Sequence, residues 1–134
     1  MIYQNDSFSV NYNDEDKAYI TDLIETINTN LKRIMNFFRL EQFKQKKHVN
    51  IWNNLTEYKL YMEQYVDEYQ DWMVVDTFDG NINILSLNLF LSGPHKNRTL
   101  TDYCKIIIHE FVHANRKLIR TQAMSVRSSR NLGN

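Results

Sequence analysis

Cysteine is almost absent from this chain. Cys104 stands alone, so no disulfide can form within it. Proline is as scarce: Pro94 is the only one, and in Ser92-Gly93-Pro94 it marks a break in regular structure. Neither sign of charge is in excess. Sixteen Lys and Arg balance 16 Asp and Glu, which gives nothing in favour of nucleic acid or an acidic substrate as partner. No apolar run is long enough to cross a bilayer. The start, Met1-Ile2-Tyr3-Gln4-Asn5-Asp6, lacks the basic residues and apolar stretch of a signal peptide. There is no internal repeat. What these absences leave is one domain in 134 residues, long enough for a core and expected in the cytoplasm.

The balanced charge is unevenly spread. Arg116, Lys117, Arg120, Arg127 and Arg130 crowd the end without an acid among them. A basic tail can bind nucleic acid, but a solvated tail is the commoner case, and nucleic acid is the weakest partner reading. Residues 125–134 are polar and rich in Ser, Arg and Asn, with too few apolar groups to offset the entropy of ordering. They are expected to be disordered, and the domain to span 1–124.

Along the chain, residues 1–13 read as polar and irregular. Asn13 followed by Asp16 forms a cap, with acids at 14–16 suited to a helix N-terminus. Ile20, Leu23, Ile24, Ile27, Leu31, Ile34, Met35 and Phe38 then recur at helical spacing and predict a long amphipathic helix to about Phe43. His48 to Trp52 alternates like a short strand. Asn54 and Glu57 have the spacing of a capping box, and Tyr58, Tyr61, Met62, Tyr65, Val66 and Tyr69 mark the buried face of a second helix to about Gln70. Tyrosines so spaced are more often core residues than a stacking platform for bases. Trp72–Phe78 and Ile82–Leu87, flanking Asp79-Gly80, predict a β-hairpin. Residues 88–98 read as a loop. Thr99 and Asp102 cap a third helix, from about Leu100 to Ile119.

That helix carries His109-Glu110-Phe111-Val112-His113, of the form H-E-x-x-H. On a helix the two imidazoles lie one turn apart on one face and can grip one metal ion, with Glu110 beside them. A motif this short also arises by chance. Against chance stand the flanks Ile106-Ile107-Ile108 and Phe111-Val112, among which two histidines and an acid would be costly to bury without partners, and the motif's place after a hairpin. Cys104, five residues before His109, is turned about 140° away and reads as a buried structural thiol.

The motif and the order helix, strand, helix, hairpin, motif helix resemble the zincin metallopeptidases, nearest to small gluzincins of the thermolysin type. The resemblance covers roughly residues 47–120 in element order and 109–113 in sequence. It implies an α+β fold like the zincin upper subdomain: a small twisted mixed sheet with a hairpin, packed by the long N-terminal helix and the active-site helix. It implies zinc held by His109 and His113, Glu110 as general base toward the attacking water, and hydrolysis of peptide bonds. It also implies that the first hairpin strand, with Val74, Val75, Asp76 and Thr77, pairs with extended substrate as an exposed sheet edge.

A catalytic zinc normally has three protein ligands. No Asp, Glu, His or Cys follows His113. The metzincin extension is excluded, because Arg116 and Ile119 occupy its glycine and histidine positions, and the later carboxylate of gluzincins and aspzincins has no counterpart. Four explanations stay open. The chain lacks a C-terminal subdomain; an upstream group substitutes, His95 before Asp102 or His48; a neighbouring subunit supplies the ligand; or the site is degenerate. The alternative function is therefore a non-catalytic interaction domain on a zincin half-scaffold, assembled as a homo-oligomer that covers its edge.

Overall fold

A computed structural model describes residues 1–39, 46–78 and 80–114. Among them, five strands form one mixed sheet and four helices pack around it, an α+β architecture. The strands are β1 (Ile2–Gln4), β2 (Phe8–Asn11), β3 (Lys47–Trp52), β4 (Val75–Phe78) and β5 (Asn81–Leu85), and the helices α1 (Lys17–Phe38), α2 (Leu55–Met62), α3 (Leu87–Ser92) and α4 (Leu100–Ala114). The sheet order is β1-β2-β3-β5-β4. β2, β3 and β5 run parallel, and β1 and β4 are antiparallel edges.

The first two strands correct the expectation of an irregular start. Asn5 makes the turn between them: its side-chain oxygen accepts from the backbone of Ser7 at 2.8 Å and Phe8 at 2.9 Å. Such an Asx turn substitutes for a backbone turn, and Phe8 and Val10 then point into the core. A short 3-10 turn, Asp14–Asp16, leads into α1, and the Asp16 carboxylate reaches back to Asn13 N at 2.9 Å. α1 closes at Phe38, short of the expected Phe43. Arg39 there adopts the left-handed conformation (φ 56°), and its N–H turns back to the last carbonyls. Residues 40–43 of that expectation lie outside the described residues.

Alternation along the strands divides the sheet into two faces. Phe8, Val10, Val49, Ile51, Ile82 and Ile84 supply the face under α4, and all are buried. α1 packs beside α4, with Tyr19 edge-on to Tyr103, and Phe8 of β2 lies edge-on to Phe111 of α4. The opposite face is polar and aromatic. Trp52 stacks on Tyr61, and Trp52 Nε1 and Tyr61 both bond to the Asn83 side chain.

α2 begins as expected, with Asn54 accepting from Glu57 N at 3.0 Å, but ends at Met62 rather than near Gln70. Glu63, Asp67 and Glu68 would have placed negative charge at the C-terminal end of a longer helix, where the dipole opposes it. Tyr65, expected on the buried face, is 52% exposed. The hairpin is present but shorter than expected: Trp72 is exposed and precedes the strand, and β5 stops at Leu85. Gly80 turns it with φ 79°, a conformation that suits glycine. The stretch expected as a loop contains α3, capped by Ser86, whose hydroxyl accepts from Leu89 N at 3.3 Å. α4 is described to Ala114. The expected continuation to Ile119, the basic residues beyond it and the polar tail lie outside the described residues. Among the described residues no helix is long and apolar enough to cross a membrane.

Candidate active site

α4 starts on a two-way cap. Thr99 N donates to the Asp102 carboxylate at 3.0 Å, and Asp102 N donates to Thr99 Oγ1 at 3.3 Å. The bond from the Thr99 backbone, above all, holds the Asp102 carboxyl below the usual carboxylate range. From this start, Tyr103, Cys104, Ile107 and Phe111 turn inward and are buried. The Cys104 thiol lies among them, and burial pushes its pKa up, as befits a structural thiol.

The same helical phase turns His109 and His113 outward. Both are exposed, and Glu110 is half-buried. The expectation that the motif sits deep is thus met by the helix but not by its imidazoles, which avoid a desolvation cost by facing out. Their rings are nearly parallel, at 10°, with centroids 6.4 Å apart.

Glu110 faces the sheet edge. Thr77 Oγ1 on β4 donates to Glu110 Oε2 at 2.5 Å. Thr77 pairs with Ile82 in register, on the face under α4, whereas the intervening Asp76 points to the other face and accepts from Tyr61 OH at 2.8 Å. Of the four residues expected along the substrate strand, Val75, Asp76 and Thr77 lie on β4. Val74 lies just before it and is buried, with its carbonyl accepting from Leu85 N. β4 is the last strand of the sheet, so among the described residues no strand covers its outer side.

The three upstream candidates for a further ligand separate. His48 is on β3, its Nδ1 2.7 Å from Ser9 Oγ, on the sheet face turned away from α4. Asp102 and His95 share with His109 the lining of one cavity; His113 is not part of that lining. His95 stacks on Phe90, ring centroids 4.8 Å apart at 8°, and its Nε2 is buried without a hydrogen-bond partner. Among the described residues no three His, Cys, Asp or Glu side chains are gathered as donors for one ion.

The two exposed motif imidazoles, one helical turn apart, have the donor chemistry for two positions of a zinc shell. At the usual Zn–N distance a tetrahedral ion would set ring centroids about 5.2 Å apart. From the observed 6.4 Å and nearly parallel rings, both an approach of about 1 Å and ring rotation on the exposed helix face would be needed to bring one nitrogen of each onto a common ion.

The chain matches no protein-family model, no curated protein and no solved structure. The site therefore has to be read from its own chemistry. Sequence reasoning found the motif and the strand beside it. It missed the bond between Thr77 and Glu110, and it missed Arg98 and Lys105, which line the cavity beside His109. The signal for Lys105 was present: it stands four residues before His109, on the same helix face.

Proposed function

We propose that this chain carries the histidine and glutamate half of a zincin-type peptidase site. His109 and His113 are its two zinc ligands, and Glu110 is its general base. The observation that carries this reading is the hydrogen bond from Thr77 to Glu110. It joins the motif helix to the open edge strand, so the motif's carboxylate stands beside the strand on which an extended peptide would be paired.

Bound zinc would supply an acidified water and polarisation of the scissile carbonyl. The chain's own residues do the rest. Thr77 holds Oε2 of Glu110, which leaves Oε1 to take the proton of the attacking water and pass it to the leaving amine. The outer side of β4 aligns the peptide main chain. With two imidazoles alone the metal affinity would fall well below that of a three-ligand site, so the reading holds that a third donor from outside the described residues, in this chain or a second copy, completes the shell in the purified protein.

The test is zinc per chain in protein purified without added metal, alongside His113→Ala. The expected result is close to one zinc, lost in the variant, with Glu110→Gln keeping the metal and losing peptide hydrolysis. A folded chain free of zinc in both forms overturns the reading, and hydrolysis retained in Glu110→Gln overturns the role of Glu110.

One observation favours a second reading, a non-catalytic interaction domain. Phe78, at the end of the open edge, is 57% exposed beside the exposed Tyr65, ring centroids 5.5 Å apart. An aromatic pair on an unpaired edge suits strand addition by a second copy. Solution mass separates the readings: a stable dimer lost on Phe78→Lys supports the second.

A further inference from the structure

Beside His109 lies a cavity of about 280 Å³, lined by His95, Arg98, Asp102, Lys105, Ile106 and His109. Asp102, Lys105, Ile106 and His109 fall at helical spacing along one face of α4, the face that carries His113 one turn further on. The cavity is thus the N-terminal continuation of the motif's own surface. It is just under the range of about 300–1,000 Å³ typical of small-molecule sites, which suits one residue of a longer ligand.

Its charge has one sign to spare. Arg98 and Lys105 bring two positive side chains; neither is within salt-bridge distance of a described carboxylate, though both act through their charge on the Asp102 carboxyl. The one acid in the wall is already engaged. The Asp102 carboxylate accepts from Thr99 N at 3.0 Å and Thr99 Oγ1 at 3.1 Å in the first turn of α4, so it is held in the cap and offsets one of the two positive charges, leaving one in excess. The His95 ring, stacked on Phe90, forms part of the wall, and its Nε2 is shut from solvent and so from the open space of the cavity.

We infer that this cavity receives a carboxylate of the peptide substrate, held by Arg98 and Lys105. The inference rests on the peptidase reading for the word substrate. Two sources carry this chemistry: an Asp or Glu side chain, and the terminal carboxylate of the peptide. A guanidinium and an ammonium recognise both through charge-assisted hydrogen bonds, whereas a cationic group would be repelled and an apolar one would strip water from both cations.

The experiment is calorimetric titration of the full chain, dialysed free of metal, with two matched pairs of peptides. The first pair is acetyl-Ala-Ala-Glu-Ala-Ala-amide and its Gln twin. The second is acetyl-Ala-Ala-Ala-Ala with a free acid and the same peptide as its amide. In at least one pair the carboxylate form is expected to bind about tenfold or more tightly than its uncharged twin, in keeping with charge-assisted bonding. Which pair shows it identifies the source. The preference should shrink with added salt and vanish in Arg98→Gln/Lys105→Gln, two exposed positions whose exchange leaves the core intact. Equal affinities within both pairs, no binding by any of the four, or a preference that survives the double variant overturns the proposal. The readout needs neither zinc nor Glu110, so it fails separately from the peptidase reading. A carboxylate preference in a chain shown to hold no zinc overturns only the link to hydrolysis.

Discussion

At the residue scale, the motif is a set of three side chains with three different supports. His109 and His113 are held by the helix alone and face solvent. Glu110 is held from across a gap, by the Thr77 hydroxyl at 2.5 Å. A carboxylate bonded at one oxygen keeps a fixed rotamer and presents the other, which is what a general base requires. On the proposed peptidase reading Thr77 is a positioning residue, and its removal should touch turnover without touching the metal. Thr77→Val keeps the β-branched shape and deletes the hydroxyl. It is expected to lower kcat by about tenfold to a hundredfold, as misplaced catalytic groups do, to leave KM and zinc content near those of the parent, and to be rescued by Thr77→Ser. Steady-state kinetics with metal analysis on the three proteins checks this; a kcat unchanged in Thr77→Val would remove Thr77 from the mechanism. The motif itself was legible in the sequence because its spacing matches the helical period. The Thr77 contact was not, because it depends on which face of β4 meets α4, and a register shift of one residue would have offered Asp76 instead.

At the element scale, that register is set by the β4–β5 hairpin and its Gly80 turn. Gly80 has φ 79°, and its carbonyl accepts from His48 N at 2.9 Å, which ties the turn to β3. Gly80→Ala is expected to cost about 1 kcal/mol, the usual penalty where a side chain must adopt positive φ, and to lower the melting temperature by several degrees in a domain of this size. If the hairpin sets the Glu110 position, kcat should fall in the same variant at temperatures where it remains folded. A thermal melt paired with kinetics reads both. Other elements were legible to different degrees for identifiable reasons. α1 and α4 announced themselves because each carries apolar residues at helical spacing, and α4 also carries the Thr99 and Asp102 cap that the structure contains. The β1–β2 hairpin was hidden. Its strands have 3 and 4 residues, too few for alternation to register, and its turn signal lay in Asn5 alone. α3 has 6 residues, less than two turns, so its period could not be told from a loop containing Ser92, Gly93 and Pro94. The cavity beside His109 escaped for that reason. His95 and Arg98 reach it only because α3 and the turn after it bring the chain back against α4.

At the scale of the whole molecule, buried phenols tie α4 and α2 to β5 and fix the start of α1. Tyr103 OH donates to the Leu85 carbonyl at 2.8 Å, Tyr58 OH to the Asn83 carbonyl at 3.4 Å, and Tyr19 OH to the Asp16 carboxylate at 2.5 Å, and all three rings are buried. Burial is the largest reason that each phenol is pushed well above its ordinary pKa, and for Tyr19 the Asp16 carboxylate adds to it. The sign of the consequence follows from proton counting. In the unfolded chain these tyrosines ionise near pH 10; in the native chain they keep their protons to higher pH. Above about pH 10 the unfolded state therefore binds fewer protons than the native state, and stability falls as pH rises. Below that point their contribution is fully present. Three such groups give a slope of about 4 kcal/mol per pH unit once all are ionised in the unfolded chain. The expected outcome is a cooperative alkaline transition in which far-ultraviolet ellipticity is lost in step with the tyrosinate absorbance of these three residues. Full tyrosinate absorbance from all eight tyrosines with native ellipticity intact would show that the phenols are accessible to base. The packing they make around β5 and the start of α1 would then be looser than their hydrogen bonds indicate.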